Sequence, residues 1–210
     1  MSRVPEYRRV RGFTLIEVLV AFLVISVGIA GAVSLQVMTR ASQHQAMQRM
    51  RAVALAKQML EMIRNNPRGM AVYSARAGTN AVGGGSIATE PAPDCMALAC
   101  EPAEKAAYDL WEWERSLDGD WVTAADGGGS GSGLIEAHGC ILFVADNATD
   151  RPNTGMVDVI LQWRGLQEAS DALQEDDVVC GPQPGEDAEA DGFRRQVVLS
   201  SYVVDEWELR

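Results

Sequence analysis

Apolar positions follow two rhythms along this 210-residue chain. From 13 to 35 they are nearly continuous, 23 residues with a single charged side chain, Glu17. A helix needs roughly 20 predominantly apolar residues to cross a hydrocarbon core, so the run is long enough to span one. Past residue 35 it thins into a stripe. Ala46, Met50, Val53, Ala56, Leu60 and Ile63 are spaced 4, 3, 3, 4 and 3 apart, which marks one face of a helix. Gln43, Gln48, Arg49, Arg51, Gln58 and Arg64 fill much of the remainder. No proline falls between Phe13 and Asn66, and Asn65-Asn66-Pro67 then ends the pattern, because the residue before a proline is pushed out of the α region. The prediction is one helix from about Thr14 to about Asn65, roughly 75–80 Å long at 1.5 Å per residue. Gly28 and Gly31 lie inside its apolar half, where they allow close helix approach or local unwinding.

The rest of the chain reads as shorter elements. Residues 67–94 have no sustained period and are punctuated by Gly78, Gly83-Gly84-Gly85, Pro91 and Pro93, so a loop is predicted. Glu101-Pro102-Ala103-Glu104 has the proline and acids of a first helical turn. A short helix should follow through Ala107, Leu110, Trp111, Glu114 and Leu117, with Trp111 chiefly a core residue and Trp113 balanced between core and surface. The glycine-serine stretch 126–133 misses the dinucleotide, phosphate-loop and G-x-S-x-G spacings, and reads as a flexible loop. Three strands are predicted, at 135–145, 156–164 and 193–204, the last with Phe193, Arg195, Val197, Leu199, Ser201 and Val203 on one face. No helix-length crossover separates them, so the sheet should be antiparallel. The fold class is α+β, a long N-terminal helix packed on a small antiparallel sheet.

Charge changes the picture at the N-terminus. Arg3, Arg8, Arg9 and Arg11 against Glu6 give residues 1–12 a charge of +3, which favours a cytoplasmic N-terminus. The whole chain carries −11, so everything after residue 12 carries −14. Such an acidic chain is a poor partner for nucleic acid. A secretory signal would place a small-residue cleavage site after its apolar segment; here the small residue, Gly12, stands before it. Glu17 is costly in an apolar setting, and its natural partner is a cation met there.

Gly12-Phe13-Thr14-Leu15-Ile16-Glu17, with its basic leader and apolar run, resembles the class III signal of type IV pilins and type II secretion pseudopilins. The resemblance implies cleavage by a prepilin peptidase between Gly12 and Phe13, N-methylation of Phe13, and pairing of Glu17 with the terminal ammonium of a neighbouring subunit. It implies a ladle-shaped pilin. Residues 1–12 would be the cleaved cytoplasmic leader, 13–35 the transmembrane or filament-core helix, 36–66 its amphipathic continuation and 67–210 a periplasmic head domain. Cys95-Met-Ala-Leu-Ala-Cys100, Ala106-Ala-Tyr108-Asp-Leu110-Trp111-Glu-Trp113 and the segment 193–203 look like the PilV-type minor pilins, or type IV pilus modification proteins. That resemblance implies a minor pilin that primes pilus assembly and sits at or near the tip. The alternatives are a type II secretion pseudopilin or a membrane-anchored periplasmic binding protein. Implied partners are the prepilin peptidase, other minor pilins, the major pilin and a tip adhesin. The implied location is the inner membrane, single-pass with a periplasmic C-terminus, and then the pilus fibre.

Cys95, Cys100, Cys140 and Cys180 all follow the apolar helix, and in an oxidising periplasm an even count favours disulfides. Four cysteines allow three pairings, among which sequence does not choose. Our expectation is Cys95–Cys100 as a small local loop and Cys140–Cys180 as a tie from a strand to a later loop. Cys140 and Cys180 form no close pair and His138 is the only histidine of the head, which argues against zinc. His44 is expected on a solvated helix face and His138 as a structural strand residue. The acidic stretch 168–192 lacks a D-x-[DN]-x-[DN]-G calcium loop; it reads as a protruding contact loop. No nucleophile has an evident base partner. No cofactor, metal site or catalysis is expected.

Overall fold

The computed structural model describes residues 12–119, 134–147, 151–168, 178–181 and 192–209. The leader up to residue 11, the glycine-serine loop and most of the acidic stretch lie outside the described residues. The chain divides into two packed units, one ending at His44 and the other beginning at Gln45.

Helix α1, Leu15–Asn65, is 51 residues long, about 77 Å at 1.5 Å per residue. In the first unit, its described side chains over residues 15–40 are exposed. Among the described residues it is the one helix long and apolar enough to cross a membrane, with a mean hydropathy of 2.6 over its most apolar 18 residues. It ends as the proline dictates: the Asn66 N–H still bonds back to the carbonyls of Met62 and Ile63, but Asn66 itself leaves the helical region at φ −140°.

In the second unit, the buried face of α1 comprises Gln48, Ala52, Leu55, Ala56, Met59, Leu60 and Ile63. Ala46, Met50 and Val53, expected on this face, are exposed, and Gln48, expected outside it, is buried. The reason lies in the spacing. From residue 46 to residue 63 the proposed stripe takes five steps at a mean of about 3.4 residues, against 3.6 for a straight helix. Each step therefore slips by about 20°, and the stripe has wound about 100° off the sheet by its start.

Segment 67–94 is more structured than a plain loop. It contains 3₁₀ turns at Pro67–Gly69 and Gly78–Asn80 and a single α turn, α2, Met70–Tyr73. Its Val82 exchanges two hydrogen bonds with Gly139, of 2.8 and 2.7 Å, and Arg76 accepts one from the Ile141 N–H, so the segment covers a sheet edge. Helix α3, Pro102–Asp118, starts on a reciprocal capping box between Glu101 and Glu104 with Pro102 in its first turn. It ends on Gly119, left-handed at φ 79°. These are the residues helix termini favour.

Strands β1, Ile135–Ala145, β2, Gly155–Arg164, and β3, Arg194–Val203, form one antiparallel sheet in the order β1-β2-β3. The register stacks Ile141, Val159 and Leu199 in one row and Gly139, Leu161 and Val197 in the next. This face packs with α1 and with Ala106, Leu110, Trp113 and Leu117 of α3 in the main core. The opposite face carries a smaller cluster of Cys140, Ile160, Ala81 and Cys180. Gly139 is a glycine for a packing reason. A Cβ there would stand 2.1 Å from Cη2 of the fully buried Trp113, which settles that tryptophan in the core.

Candidate assembly site and the polar ties of the head

At the N-terminus, Gly12, Phe13 and Thr14 precede the helix as exposed, non-helical residues. Thr14 caps it: its carbonyl accepts from the N–H groups of Glu17 (3.1 Å) and Val18 (3.3 Å), and its hydroxyl from the Glu17 N–H (3.4 Å). Glu17 thus sits in the first turn, where the N–H ends of the helix favour a carboxylate. Phe13, Glu17, Val18, Ala21, Phe22 and Ile25 line a shallow concavity of about 450 Å³ on one side of the helix. Glu17 is the only ionisable side chain on that surface. Phe13 itself is 85% exposed. The arrangement can present one negative charge, at a fixed axial level, to a neighbour that packs against the apolar face.

The head is tied by buried polar groups that sequence reasoning did not single out. Tyr73 donates a 2.5 Å hydrogen bond to Asp109, which is 1% exposed and also ion-paired with Lys105 four residues earlier. Asn66 donates to the Tyr73 hydroxyl (3.3 Å) and to the Pro102 carbonyl (2.7 Å), so the end of α1, α2 and the start of α3 meet at one network. A recess of about 250 Å³ beside it is lined by Met62, Asn65, Asn66, Cys100, Pro102, Lys105 and Asp109. Further along α3, buried Glu114 accepts from the N–H groups of Gly83 and Ile87 and from the Ser86 hydroxyl. Asp118 accepts from the N–H groups of Gly84 and Gly85. Three consecutive glycines with positive φ turn their amides toward those two carboxylates. The sequence held one signal for this, acids at 114 and 118 one turn apart on α3. Nothing in it pointed to Gly83-Gly84-Gly85 as their partner.

Tyr73 carries a pH consequence. Burial first, then the charge of Asp109 and the hydrogen bond to it, push its pKa well above the ordinary tyrosine value. The neutral form is therefore favoured on folding. The resulting stability is present below about pH 10, the unfolded value, and is lost as pH rises beyond it, by about 1.4 kcal/mol per pH unit for one proton. Urea unfolding of the full chain in detergent, at pH values from 9 to 11 (on the order of the unfolded tyrosine value), should show that slope. Tyr73→Phe should reduce it by one proton's worth; an unchanged slope would assign the effect to other groups.

Cys95 is bonded to Cys100, and Cys140 on β1 to Cys180 beyond β2. His138 lies against Gly181, with Nδ1 3.1 Å from the Glu136 carbonyl oxygen, and His44 is exposed. Trp111 is buried and pairs with Tyr108 at 5.4 Å, with the Arg115 guanidinium 5.0 Å from its ring centre. Among the described residues, no group of three or more His, Cys, Asp or Glu side chains is placed to hold a metal ion.

Residues 7–33 match the prokaryotic N-terminal methylation motif, and residues 34–111 match the Tt1218-like family, described as type IV pilin Tt1218. Over these two stretches the chain is similar to type IV pilins and to their methylated N-terminus. The motif spans Gly12, Phe13 and Glu17, and implies processing by a prepilin peptidase and assembly into a pilus. The pilin match runs from within α1 to Trp111 in α3 and stops short of the sheet. No curated protein and no solved structure matches the chain significantly. With the exposed apolar half of α1, the pilin motif fits membrane anchoring followed by incorporation into a pilus.

Proposed function

We propose that this chain is a type IV pilin, a minor pilin of the PilV type, which helps prime pilus assembly and is incorporated at or near the fibre tip. A prepilin peptidase cleaves it after Gly12, and Phe13 becomes the methylated terminus. The apolar half of α1 then holds the subunit in the inner membrane with its head in the periplasm. From there it joins other minor pilins, the major pilin and a tip adhesin. The observation that carries this reading is the lone Glu17 carboxylate at the start of an exposed apolar helix. The helix's described side chains over residues 15–35 are exposed, and its one charge suits a neighbour's terminal ammonium. The role is structural: the head contributes a surface to an assembly.

The test is a deletion strain, in which pilin in sheared surface fibres is compared with secreted exoprotein activity. Lost or reduced piliation with intact secretion is expected. Intact pili with failed secretion would assign the chain to the type II pseudopilins instead. Mass spectrometry of the membrane-extracted protein should find residues 1–12 absent and one methyl group on Phe13. An intact leader would turn the chain into a plain anchored periplasmic protein.

A further inference from the structure

The ring closed by Cys95 and Cys100 holds its two large apolar side chains outward. Met96 is 83% exposed and Leu98 is 62% exposed, and neither joins the main core. The ring is built to stay that way. The Asp94 carboxylate accepts from the Met96 N–H at 2.9 Å, and the Asp94 carbonyl accepts from the N–H groups of Ala97 and Leu98. Together with the disulfide, these bonds fix the backbone, so little conformational freedom remains to be lost on docking. Single exposed apolar residues are ordinary on protein surfaces. Two on one short cross-linked ring, neither contributing to the core, are better explained as contact area.

The surroundings say what they contact. From residue 77 to residue 104 there is no Lys, Arg or His, and there are four acids, Glu90, Asp94, Glu101 and Glu104, all exposed. The nearest cations on α3 are committed, Lys105 to Asp109 and Arg115 to the Trp111 ring. Burial first, and then the charges of Asp94, Glu90 and Glu112, raise the pKa of Tyr108, with Arg115 opposing, so this side of the ring is acidic as well. An apolar knob in an acidic collar repels an anionic lipid surface and repels its own copy. It complements a concave apolar patch rimmed by Lys or Arg.

We propose that Met96 and Leu98 form a docking knob that inserts into an apolar pocket with a basic rim on a different pilus subunit. This rests on the pilin reading above, and names the surface by which the head selects a neighbour. The apolar pair supplies the contact; the collar supplies orientation and excludes self-association.

The test uses the full-length chain in its own strain. A photoreactive benzophenone amino acid at position 96, or at exposed position 79 as reference, is illuminated in assembling cells, and adducts are mapped by mass spectrometry. Position 96 should cross-link to a second pilus subunit at a peptide containing Lys or Arg, and position 79 should not. In isolated membranes the yield should fall severalfold when salt is raised from about 0.1 to about 1 M, which shortens the screening length from about 10 to about 3 Å. Glu90→Gln with Asp94→Asn, which keeps the turn's hydrogen bond, should lower the yield likewise. Met96→Ser with Leu98→Ser should leave membrane level and leader cleavage unchanged and reduce the fibre-to-membrane ratio about tenfold, as loss of a contact hot spot does. Wild-type incorporation of that double variant, or adducts only to lipid or to a second copy, would overturn the proposal. A wild-type chain that keeps its leader or never enters fibres would overturn the pilin reading itself.

Discussion

Trp113→Ala is expected to destabilise the head by about 3–5 kcal/mol, the range for removing a fully buried tryptophan. The ring is 0% exposed and stands between three elements. It rises from α3, its Nε1–H donates to the Leu55 carbonyl of α1 at 3.0 Å, and its edge fills the space above Gly139 of β1. Alanine would leave a cavity where helix, helix and sheet meet. Gly139→Ala tests the same contact from the other side. Its new methyl would occupy the place of Cη2 and Cζ3, at 2.1 and 2.5 Å, so the ring or the strand must move, at a cost of about 1–3 kcal/mol. The two changes should not add. Once Trp113 is leucine the methyl at 139 has room, so the double variant Trp113→Leu/Gly139→Ala should be about 1 kcal/mol or more better than the sum of the singles. Urea unfolding of the full chain in detergent, followed by circular dichroism, measures all of these. Strict additivity would mean that ring and strand do not bear on each other.

This contact also shows where the sequence stopped being legible. Elements set by local chemistry could be read directly. α1 ends where Pro67 forbids another turn, α3 begins at its acidic, proline-bearing first turn, and the alternation in β2 and β3 locates both strands to within a residue. The need for glycine at 139 comes from a ring 26 positions earlier, and no local period encodes such a distance. The phase of α1 failed for a related reason. Residues 46–63 offer enough alanine and methionine to draw more than one apolar line, and only the sheet decides which one is covered. Gln48 lies on the covered side and Met50 does not. The N-terminal motif could be read because its signal is local, a carboxylate in an apolar run behind Gly12, and residues 7–33 match the methylation motif. The polar ties of the head were not, since Tyr73, Asn66 and Asp109 acquire one another only through the fold.

Glu17→Ala is expected to leave cleavage after Gly12 intact while lowering the fibre-to-membrane ratio about ten- to a hundredfold. The substitution preserves what the peptidase meets: Thr14 still caps the helix, and alanine is the best helix former. It removes the single charge on the apolar half of α1. Between unit charges 4 Å apart the attraction is about 4 kcal/mol at an effective dielectric near 20. Desolvation cancels part of this, and hydrogen bonds to charged groups keep about 1.5–3 kcal/mol net. At 1.4 kcal/mol per factor of ten, that range gives the expected loss. Apolar packing remains in the variant, but along a continuous apolar surface it holds many axial registers at similar energy, whereas one buried pair selects one. Glu17→Asp, which keeps the charge on a shorter stem, should therefore be intermediate. Immunoblots of sheared fibres against membrane fractions give the ratio, and mass spectrometry of the mature terminus checks cleavage. Full incorporation of the alanine variant would mean that the carboxylate is only tolerated, and that the helices find their register through side-chain shape alone.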